Sequence, residues 1–310
     1  GSKEELWVRH AGFDAFRSGV LEDGGANLYV SRAGRLQTIN RWDLNGDGEL
    51  DLLFTQDHNN VYTPDSVIYW GGKDGFHSLL PELWRLRAPS SLLGYLSDVR
   101  RFVTFLPTQG GGRSRIADLN GDGFPDIVIC NYMHNYRADQ SVYIYWGGPQ
   151  GFQPSARTEL PAYLAGGVAI ADLNHDGRPD IVLANHGDEL GERRGLRLHR
   201  ESYIYWGAAG GYGPSRRTSL PTISASDVAA GDFNGDGHPD LAFVNNNSQE
   251  QSAFVYWGNA QGSFSESRRL HLTSRDLRLP PAVNGRYAST LRTAFAADLN
   301  RDRIDDLILC

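Results

Sequence analysis

The sequence predicts an all-β chain folded as a single β-propeller, with five four-stranded blades closed by strands from both termini. Three observations carry that expectation. A nine-residue loop rich in side-chain oxygens recurs five times, each copy between short runs of β-type residues. A Tyr-Trp-Gly triplet follows four of the five copies. Successive copies begin 75, 54, 60 and 66 residues apart, which suits one blade of four antiparallel strands and leaves no room for a hidden sixth.

The five loops begin at Asp43, Asp118, Asp172, Asp232 and Asp298. The second reads Asp118-Leu119-Asn120-Gly121-Asp122-Gly123-Phe124-Pro125-Asp126, and the others follow the same plan. Small and apolar runs such as Val168-Ala169-Ile170-Ala171 precede the loops, and β-type runs such as Ile127-Val128-Ile129-Cys130 follow them. Strand, loop, strand is the natural reading. A third strand ends at Tyr69-Trp70-Gly71, Tyr145-Trp146-Gly147, Tyr205-Trp206-Gly207 and Tyr256-Trp257-Gly258. A glycine-containing turn then leads through Phe76, Phe152, Tyr212 or Phe264 to a polar fourth strand. The aromatic pair is expected to pack between blades.

The fifth repeat reaches only Leu307-Ile308-Leu309-Cys310, two strands into its blade. The segments Leu6-Trp7-Val8-Arg9 and Asn27-Leu28-Tyr29-Val30-Ser31 are therefore expected to complete it, which would remove the exposed sheet edges. Residues 1–310 form one domain on this reading, Gly1-Ser2 looks like a cloning scar, and insertions fall at about 77–113 and 265–293.

At 310 residues the chain can bury a substantial core. It has no apolar run of about 18 residues, so no membrane-spanning helix is expected. The formal charge is −7, and nearly all the basic residues are arginines, Lys3 and Lys73 being the only lysines. The two cysteines, Cys130 and Cys310, occupy the same repeat position and are expected as separate buried strand thiols.

The loops have the chemistry of a calcium site. Positions 1, 3, 5 and 9 are Asp43, Asn45, Asp47 and Asp51 in the first loop, and Asp118, Asn120, Asp122 and Asp126 in the second. They are Asp172, Asn174, Asp176 and Asp180 in the third, and Asp232, Asn234, Asp236 and Asp240 in the fourth. The fifth has Asp298, Asn300, Asp302 and Asp306. A hard cation that wants six to eight oxygens is served by such a set, with a backbone carbonyl expected from position 7. No cysteine or histidine stands at these positions, which argues against zinc or copper there. Glycine at position 6 of the first four loops permits a positive φ, and Arg303 takes that place in the fifth. Closure by a carboxylate at position 9 between β-runs excludes the twelve-position helix-loop-helix motif. Up to five Ca²⁺ ions are expected, and five would turn the formal −7 into +3.

These residues resemble the FG-GAP/VCBS repeat family, which includes the calcium-binding blades of integrin α-subunit propellers, over nearly the whole chain. The resemblance implies that each loop joins the first and second strands of its blade and holds calcium on one face of the ring. It also implies extracellular, cell-surface or periplasmic work in adhesion or carbohydrate recognition.

A ligand is expected on the opposite face, where the second strands end. Gln56, Asn131, Asn185 and Asn245 share one repeat position there, with His58, His134 and His186 close by in sequence. The long connections bring Trp84, Arg100 and Arg286 among other arginines and aromatics. That combination suits a glycan or protein ligand carrying anionic groups. Nucleic acid is not expected, as no motif for it appears. The competing reading is a polysaccharide lyase or glycoside hydrolase using His and Asp residues of the same face, although no nucleophile elbow, His-Glu-x-x-His or phosphate loop is present.

Overall fold

The computed structural model describes residues 26–30, 36–49, 51–55, 65–71, 103–132, 139–186, 201–246, 251–279 and 291–310. Over these the chain is all-β, with 19 strands in five antiparallel sheets. Two single 3₁₀ turns, Pro214–Arg216 and Glu266–Arg268, are the helical content of the described residues. None of their helices is long and apolar enough to cross a membrane.

Three sheets share one plan. The second sheet runs β6 (Gly111–Ala117), β7 (Asp126–Asn131), β8 (Val142–Tyr145), β9 (Arg157–Leu160). The third is β10 (Ala165–Ala171), β11 (Asp180–Asn185), β12 (Glu201–Tyr205), β13 (Arg217–Pro221). The fourth is β14 (Ala225–Gly231), β15 (Asp240–Asn246), β16 (Gln251–Tyr256), β17 (Arg269–Leu272). Each strand pairs with the next in sequence, so every connection is local. The expected strand, loop, strand, Tyr-Trp-Gly strand and polar fourth strand are all present in these three.

The first sheet holds five strands in order: β1 (Ala26–Val30), β2 (Leu36–Trp42), β3 (Asp51–Phe54), β4 (Ser66–Tyr69), β5 (Val103–Leu106). The fifth sheet is the hairpin β18 (Ala294–Ala297), β19 (Asp306–Leu309). Asn27 to Val30, expected to complete the fifth blade, instead pair with Gln37, Thr38, Ile39 and Leu36 in β2. Closing a short connection costs far less chain entropy than joining opposite ends of the sequence. The other expected closing segment, residues 6–9, lies outside the described residues.

The second strands β7, β11 and β15 are buried throughout. This explains their continuous apolar runs, because a strand covered on both faces needs no alternation. What covers them is the neighbouring sheet on either side. One cluster joins the first and second sheets through Leu53, Ile68, Leu106, Ile127, Ile129 and Tyr145. A second joins Val128, Cys130, Val142 and Ile144 to Val168, Ile181, Leu183 and Tyr205. A third joins Val182, Ala184, Ile204 and Leu220 to Val228, Leu241, Phe243 and Tyr256. A fourth joins Ala229 and Val244 to Leu291 and Ala294. The sheets therefore pack face to face in chain order.

The tyrosines of the triplet serve this packing, as expected. Tyr145, Tyr205 and Tyr256 are fully buried, and their hydroxyls donate to the carbonyls of Pro107, Pro161 and Pro221, where the chain leaves the preceding sheet. The tryptophan indoles Trp70, Trp146 and Trp206 donate to Thr104, Thr158 and Thr218 on the fourth strands, at 3.0, 3.0 and 2.8 Å. On the last strands of the second, third and fourth sheets Arg157, Arg217 and Arg269 lie over the rings of Tyr143, Tyr203 and Phe254 at 4.0, 4.1 and 4.0 Å.

The first strands bring one repeat position together. Arg113, Gly167, Asp227 and Thr293 each stand five residues before the first aspartate of a loop. A register shift, the mark of a β-bulge, occurs beside this position in β6, β10 and β14, and bulges re-aim side chains. Arg113 Nη2 lies 3.5 Å from Asp227 Oδ2 and donates to Thr293 Oγ1, linking the second sheet to the fourth and fifth. Ala294 N–H also donates to Asp227 Oδ2, at 3.1 Å. A Cβ on Gly167 would stand 2.2 Å from Asp227 Oδ1, so only glycine admits that carboxylate. Burial holds Asp227 above the ordinary carboxylate range, partly countered by Arg113 and Arg115.

Cys130 is buried in β7 as expected, and burial pushes its thiol up to about 12. Cys310, expected to be buried, is exposed. It follows β19 and pairs through its backbone with Thr293.

Candidate functional site

The nine-residue loop joins β2 to β3 in the first sheet and the first strand to the second in the other four, and all five share one hydrogen-bonded frame. The position 1 carboxylate accepts the backbone N–H groups of positions 5 and 6 in every loop, and in the second and fourth loops also that of position 4, at 2.8 Å. Its Oδ1 takes that of position 5 at 3.0–3.2 Å, and its Oδ2 that of position 6 at 2.8–2.9 Å. The position 3 asparagine Oδ1 shares the position 5 donor at 2.8–3.1 Å. Position 5 Oδ1 accepts from position 7 at 2.8–2.9 Å. Oxygens from positions 1, 3 and 5 thus turn into one exposed loop.

Position 6 has positive φ in every loop: 86° at Gly48 and Gly123, 82° at Gly177 and Gly237, and 73° at Arg303. Position 4 makes the same demand, which the sequence reading missed. Gly46, Gly121 and Gly235 sit there at 74°, but His175 is held at 56° and Arg301 at 66°. A side chain in this left-handed region costs about 1–2 kcal/mol per residue.

Position 9 is different. Asp51, Asp126, Asp180 and Asp240 are fully buried. In each, Oδ2 accepts the N–H of position 2, from Leu44, Leu119, Leu173 or Phe233, at 2.7–3.0 Å. Oδ1 accepts the N–H of the glycine after Tyr-Trp, from Gly71, Gly147, Gly207 or Gly258, at 2.8 Å. The carboxylate ties the mouth of the loop to the end of the third strand. Asp306 keeps the first bond, to Leu299, at 3.0 Å. Burial raises the four buried acids to about 6, opposed by their two backbone donors and reinforced by the charges at positions 5 and 1.

The triplet glycine is fixed by the same contact. A Cβ on Gly147, Gly207 or Gly258 would stand 2.1, 2.4 or 2.0 Å from the carbonyl oxygen of Pro125, Pro179 or Pro239 at position 8. The fifth loop has Asp305 at position 8 instead. Asp305 N–H donates to Asp232 O, and its Oδ2 accepts Asp232 N–H, both at 2.9 Å. The fifth loop is thereby tied to the fourth.

Whether the loops suit a cation follows from the donors. Among the described residues no group of three or more His, Cys, Asp or Glu side chains converges tightly enough to hold an ion, and the loop carboxylates accept backbone N–H groups instead. Each carboxylate nevertheless has about four acceptor positions, and these use one to three. An all-oxygen set inside a loop closed at both ends fits a hard divalent cation.

At the opposite ends of the sheets the predicted residues fall into two groups. Asn131, Asn185 and Asn245 are fully buried. Their Oδ1 atoms accept N–H from Gln109, Tyr163 and Ile223, which precede the first strand of the same sheet, at 2.8, 3.3 and 3.0 Å. Their amide nitrogens donate to Ser141 O, Glu201 O and Ser252 Oγ. Both ends of each amide are committed to the protein, so this position staples strand ends rather than meeting a ligand. His186 is half-buried: its Nδ1 lies 3.3 Å from the Tyr132 hydroxyl, and the rings meet edge-on at 5.9 Å. Gln56, His58, His134, Trp84, Arg100 and Arg286 lie outside the described residues.

Tyr69 at the end of β4 pairs with Val103 of β5, and Gly71 donates to Asp51 of the first loop, so these two strand ends lie at the loop end of the first sheet. The Trp70 to Thr104 bond, matching Trp146 to Thr158, marks 103–106 as the fourth strand. Counting from tryptophan to the next loop had put the extra length after that strand.

A family model for the FG-GAP-like repeat matches residues 108–183 and 232–309, two stretches that hold the second to fifth loops. The chain carries FG-GAP-like repeats. Phosphatidylinositol-glycan-specific phospholipase D of Bos taurus is 30% identical over 171 residues, covering 45% of this chain and 19% of that protein. T-cell immunomodulatory protein of Rattus norvegicus is 24% identical over 259 residues, covering 69% of this chain and 42% of that protein. The chain thus spans 19% and 42% of the length of these two relatives. Among solved structures, the Vibrio cholerae biofilm matrix protein Bap1 aligns with a TM-score of 0.42 and 18% identity, over 87% of this chain and 34% of that one.

Proposed function

We propose that residues 1–310 form a five-bladed β-propeller that up to five calcium ions stabilise, and that it works outside the cytoplasm as a recognition or adhesion module. The ligand is a glycan or protein bearing anionic groups. It binds at the sheet ends opposite the calcium loops.

The propeller reading rests on sheets packed face to face in order, with Arg113 of the second reaching residues of the fourth and fifth. Calcium is supported by the oxygens of positions 1, 3 and 5 turned into each loop. It is supported too by a buried position 9 acid crowded by two other carboxylates, whose ionised form a divalent cation would relieve. In each loop positions 1, 3, 5 and 9 would hold the ion, and the ion would supply charge compensation rather than chemistry.

The observation that carries recognition is the half-buried Tyr132 and His186 pair, contributed by successive sheets at one end. His186 opens the connection between β11 and β12, whose sequence brings Arg193, Arg194, Arg197 and His199. Aromatic faces beside guanidinium groups suit sugar rings and acidic substituents. A hydroxyl and an imidazole in hydrogen-bond reach are also an acid-base pair, which keeps polysaccharide cleavage as the second reading. Screening the calcium-loaded protein on arrayed neutral, carboxylated and sulfated glycans, followed by product analysis of every binder, tests both. Binding of acidic glycans that weakens in His186→Ala without new chain ends supports recognition; new ends support cleavage; no glycan bound by the wild type sinks both glycan readings.

A further inference from the structure

The third and fourth loops touch through two histidines that neither the repeat pattern nor the calcium chemistry requires. His175 stands at position 4 of the third loop, and His238 at position 7 of the fourth. His238 Nδ1 lies 3.3 Å from His175 Nε2, with ring centroids 5.5 Å apart and planes tilted by 58°. His175 is exposed and His238 partly so, so both are reachable from solvent.

The spacing is informative. Two imidazole nitrogens bound to one tetrahedral ion at 2.0–2.1 Å stand about 3.3 Å apart. The pair already has that separation, with one nitrogen from each ring facing the other. His175 is, moreover, held at a positive φ where the first, second and fourth loops use glycine. That backbone would be relaxed by glycine, so the imidazole sits where it is at a local cost.

The geometry points to a second kind of metal site: His175 Nε2 and His238 Nδ1 bridge the third and fourth loops through one borderline divalent ion such as Zn²⁺ or Cu²⁺, with water completing its coordination. Imidazole nitrogen selects these ions, whereas the loop oxygens select calcium. For both nitrogens to offer lone pairs, the remaining protons sit on His175 Nδ1 and His238 Nε2, and the N–H···N contact between the rings is exchanged for two metal bonds. The site is built from two successive repeats, so the ion would clip their loops together on the calcium face.

The test uses the full chain with its loops saturated by calcium, titrated with Zn²⁺ alone by calorimetry and with Cu²⁺ by electron paramagnetic resonance. One ion is expected to bind with micromolar affinity, and the Cu²⁺ spectrum should carry coupling to two nitrogens. His175→Gly, which restores the glycine of the other loops, and His238→Gln should each weaken binding at least tenfold. The double variant should be no weaker than the worse single one. Wild-type binding only in the millimolar range, variants that bind as the wild type does, or an ion displaced by raising calcium would each overturn the proposal.

Discussion

Arg113 Nη2 and Asp227 Oδ2 meet at 3.5 Å although they belong to the second and fourth sheets. The guanidinium also holds Thr293, and Asp227 Oδ1 is a buried oxygen with no hydrogen-bond partner among the described residues. The pair therefore joins three sheets at one level, in the repeat position where Gly167 leaves room for it.

Arg113→Met should destabilise the protein by about 2–3 kcal/mol. Removing one partner of a buried pair usually costs about 3–5 kcal/mol. The guanidinium is a quarter exposed, which lowers the expected loss because water already screens it. Asp227→Asn, which keeps shape and one acceptor, should cost less. Urea unfolding of the two variants and their double mutant gives the coupling, and a coupling near zero would contradict a direct interaction.

The same carboxylate sets a pH dependence. Burial raises Asp227 above the ordinary 3.8, while Arg113 and Arg115 pull it down; Cys130, the other titratable group close to it, is raised and stays neutral. A native value above the unfolded one means that the folded state holds the extra proton. Its contribution is therefore full below about 3.8 and is lost as pH rises through the native value. At saturating calcium, Asp227→Asn should lose this part of the fall in stability with rising pH, and Arg113→Met should shift it to higher pH. Denaturation midpoints across acid to neutral pH, compared with wild type, check both.

Two aspartates of one loop should separate two roles. Asp176 at position 5 accepts one exposed backbone N–H and, at 3.4 Å, the exposed Asn174 amide, whereas buried Asp180 at position 9 accepts two backbone N–H groups, from Leu173 and Gly207. In excess chelator, Asp180→Ala should cost about 2–6 kcal/mol, because two buried donors lose their acceptor at about 1–3 kcal/mol each. Asp176→Ala should then change stability by only about 0.5 kcal/mol. On adding calcium the wild type should gain, since a ligand at 100 times its Kd adds about 2.7 kcal/mol per site, and Asp176→Ala should gain less. Melting curves that do not respond to chelator in the wild type would count against the calcium reading.

The fifth loop gives a stabilising change. Arg303 holds φ at 73° where the other four loops have glycine. Arg303→Gly should raise stability by about 1 kcal/mol, the left-handed penalty less the added freedom of glycine in the unfolded chain. It also removes a cation beside a proposed calcium site, so the calcium-induced rise in Tm should grow. No change in either quantity would mean that the turn accommodates arginine freely.

The parts legible in sequence were those that repeat. Five loops, their flanking β-runs and the Tyr-Trp-Gly strands could be aligned with one another, and the burial of Tyr145, Tyr205 and Tyr256 followed from that alignment. Position 9 was read only as a metal ligand, because an aspartate closing a loop looks alike whether it faces an ion or two buried N–H groups. Asn131, Asn185 and Asn245 could be read as caps of the strand ends or as a polar rim for a ligand, because a polar residue at a strand end suits both; their 22-residue reach back to Gln109, Tyr163 and Ile223, which decides for the caps, is a tertiary fact. The meeting of Arg113 with Asp227 was hidden because the repeat does not conserve residue type at that position. A charged residue entering the small apolar run Val228-Ala229-Ala230-Gly231 was the available signal.

The glycine of Tyr-Trp-Gly makes the sharpest structural prediction. In the third sheet, Gly207 N–H donates to Asp180 Oδ1 at 2.8 Å, and an added Cβ would lie 2.4 Å from Pro179 O and 3.2 Å from Arg178 Cβ. The obstructing atom is backbone, fixed by the loop that the same aspartate closes, so relief requires moving the third strand away from the loop and stretching that bond. Gly207→Ala should therefore destabilise by about 1–3 kcal/mol, the usual cost of forcing volume into a packed site. It should also weaken calcium binding by the third loop, since position 9 is displaced with it. Gly213→Ala is the matched control: its φ is −173° and nothing lies within 4 Å of the added carbon. That change should be neutral or stabilise by up to about 1 kcal/mol. If the two variants melt alike, the glycine after Tyr-Trp is not held by this contact.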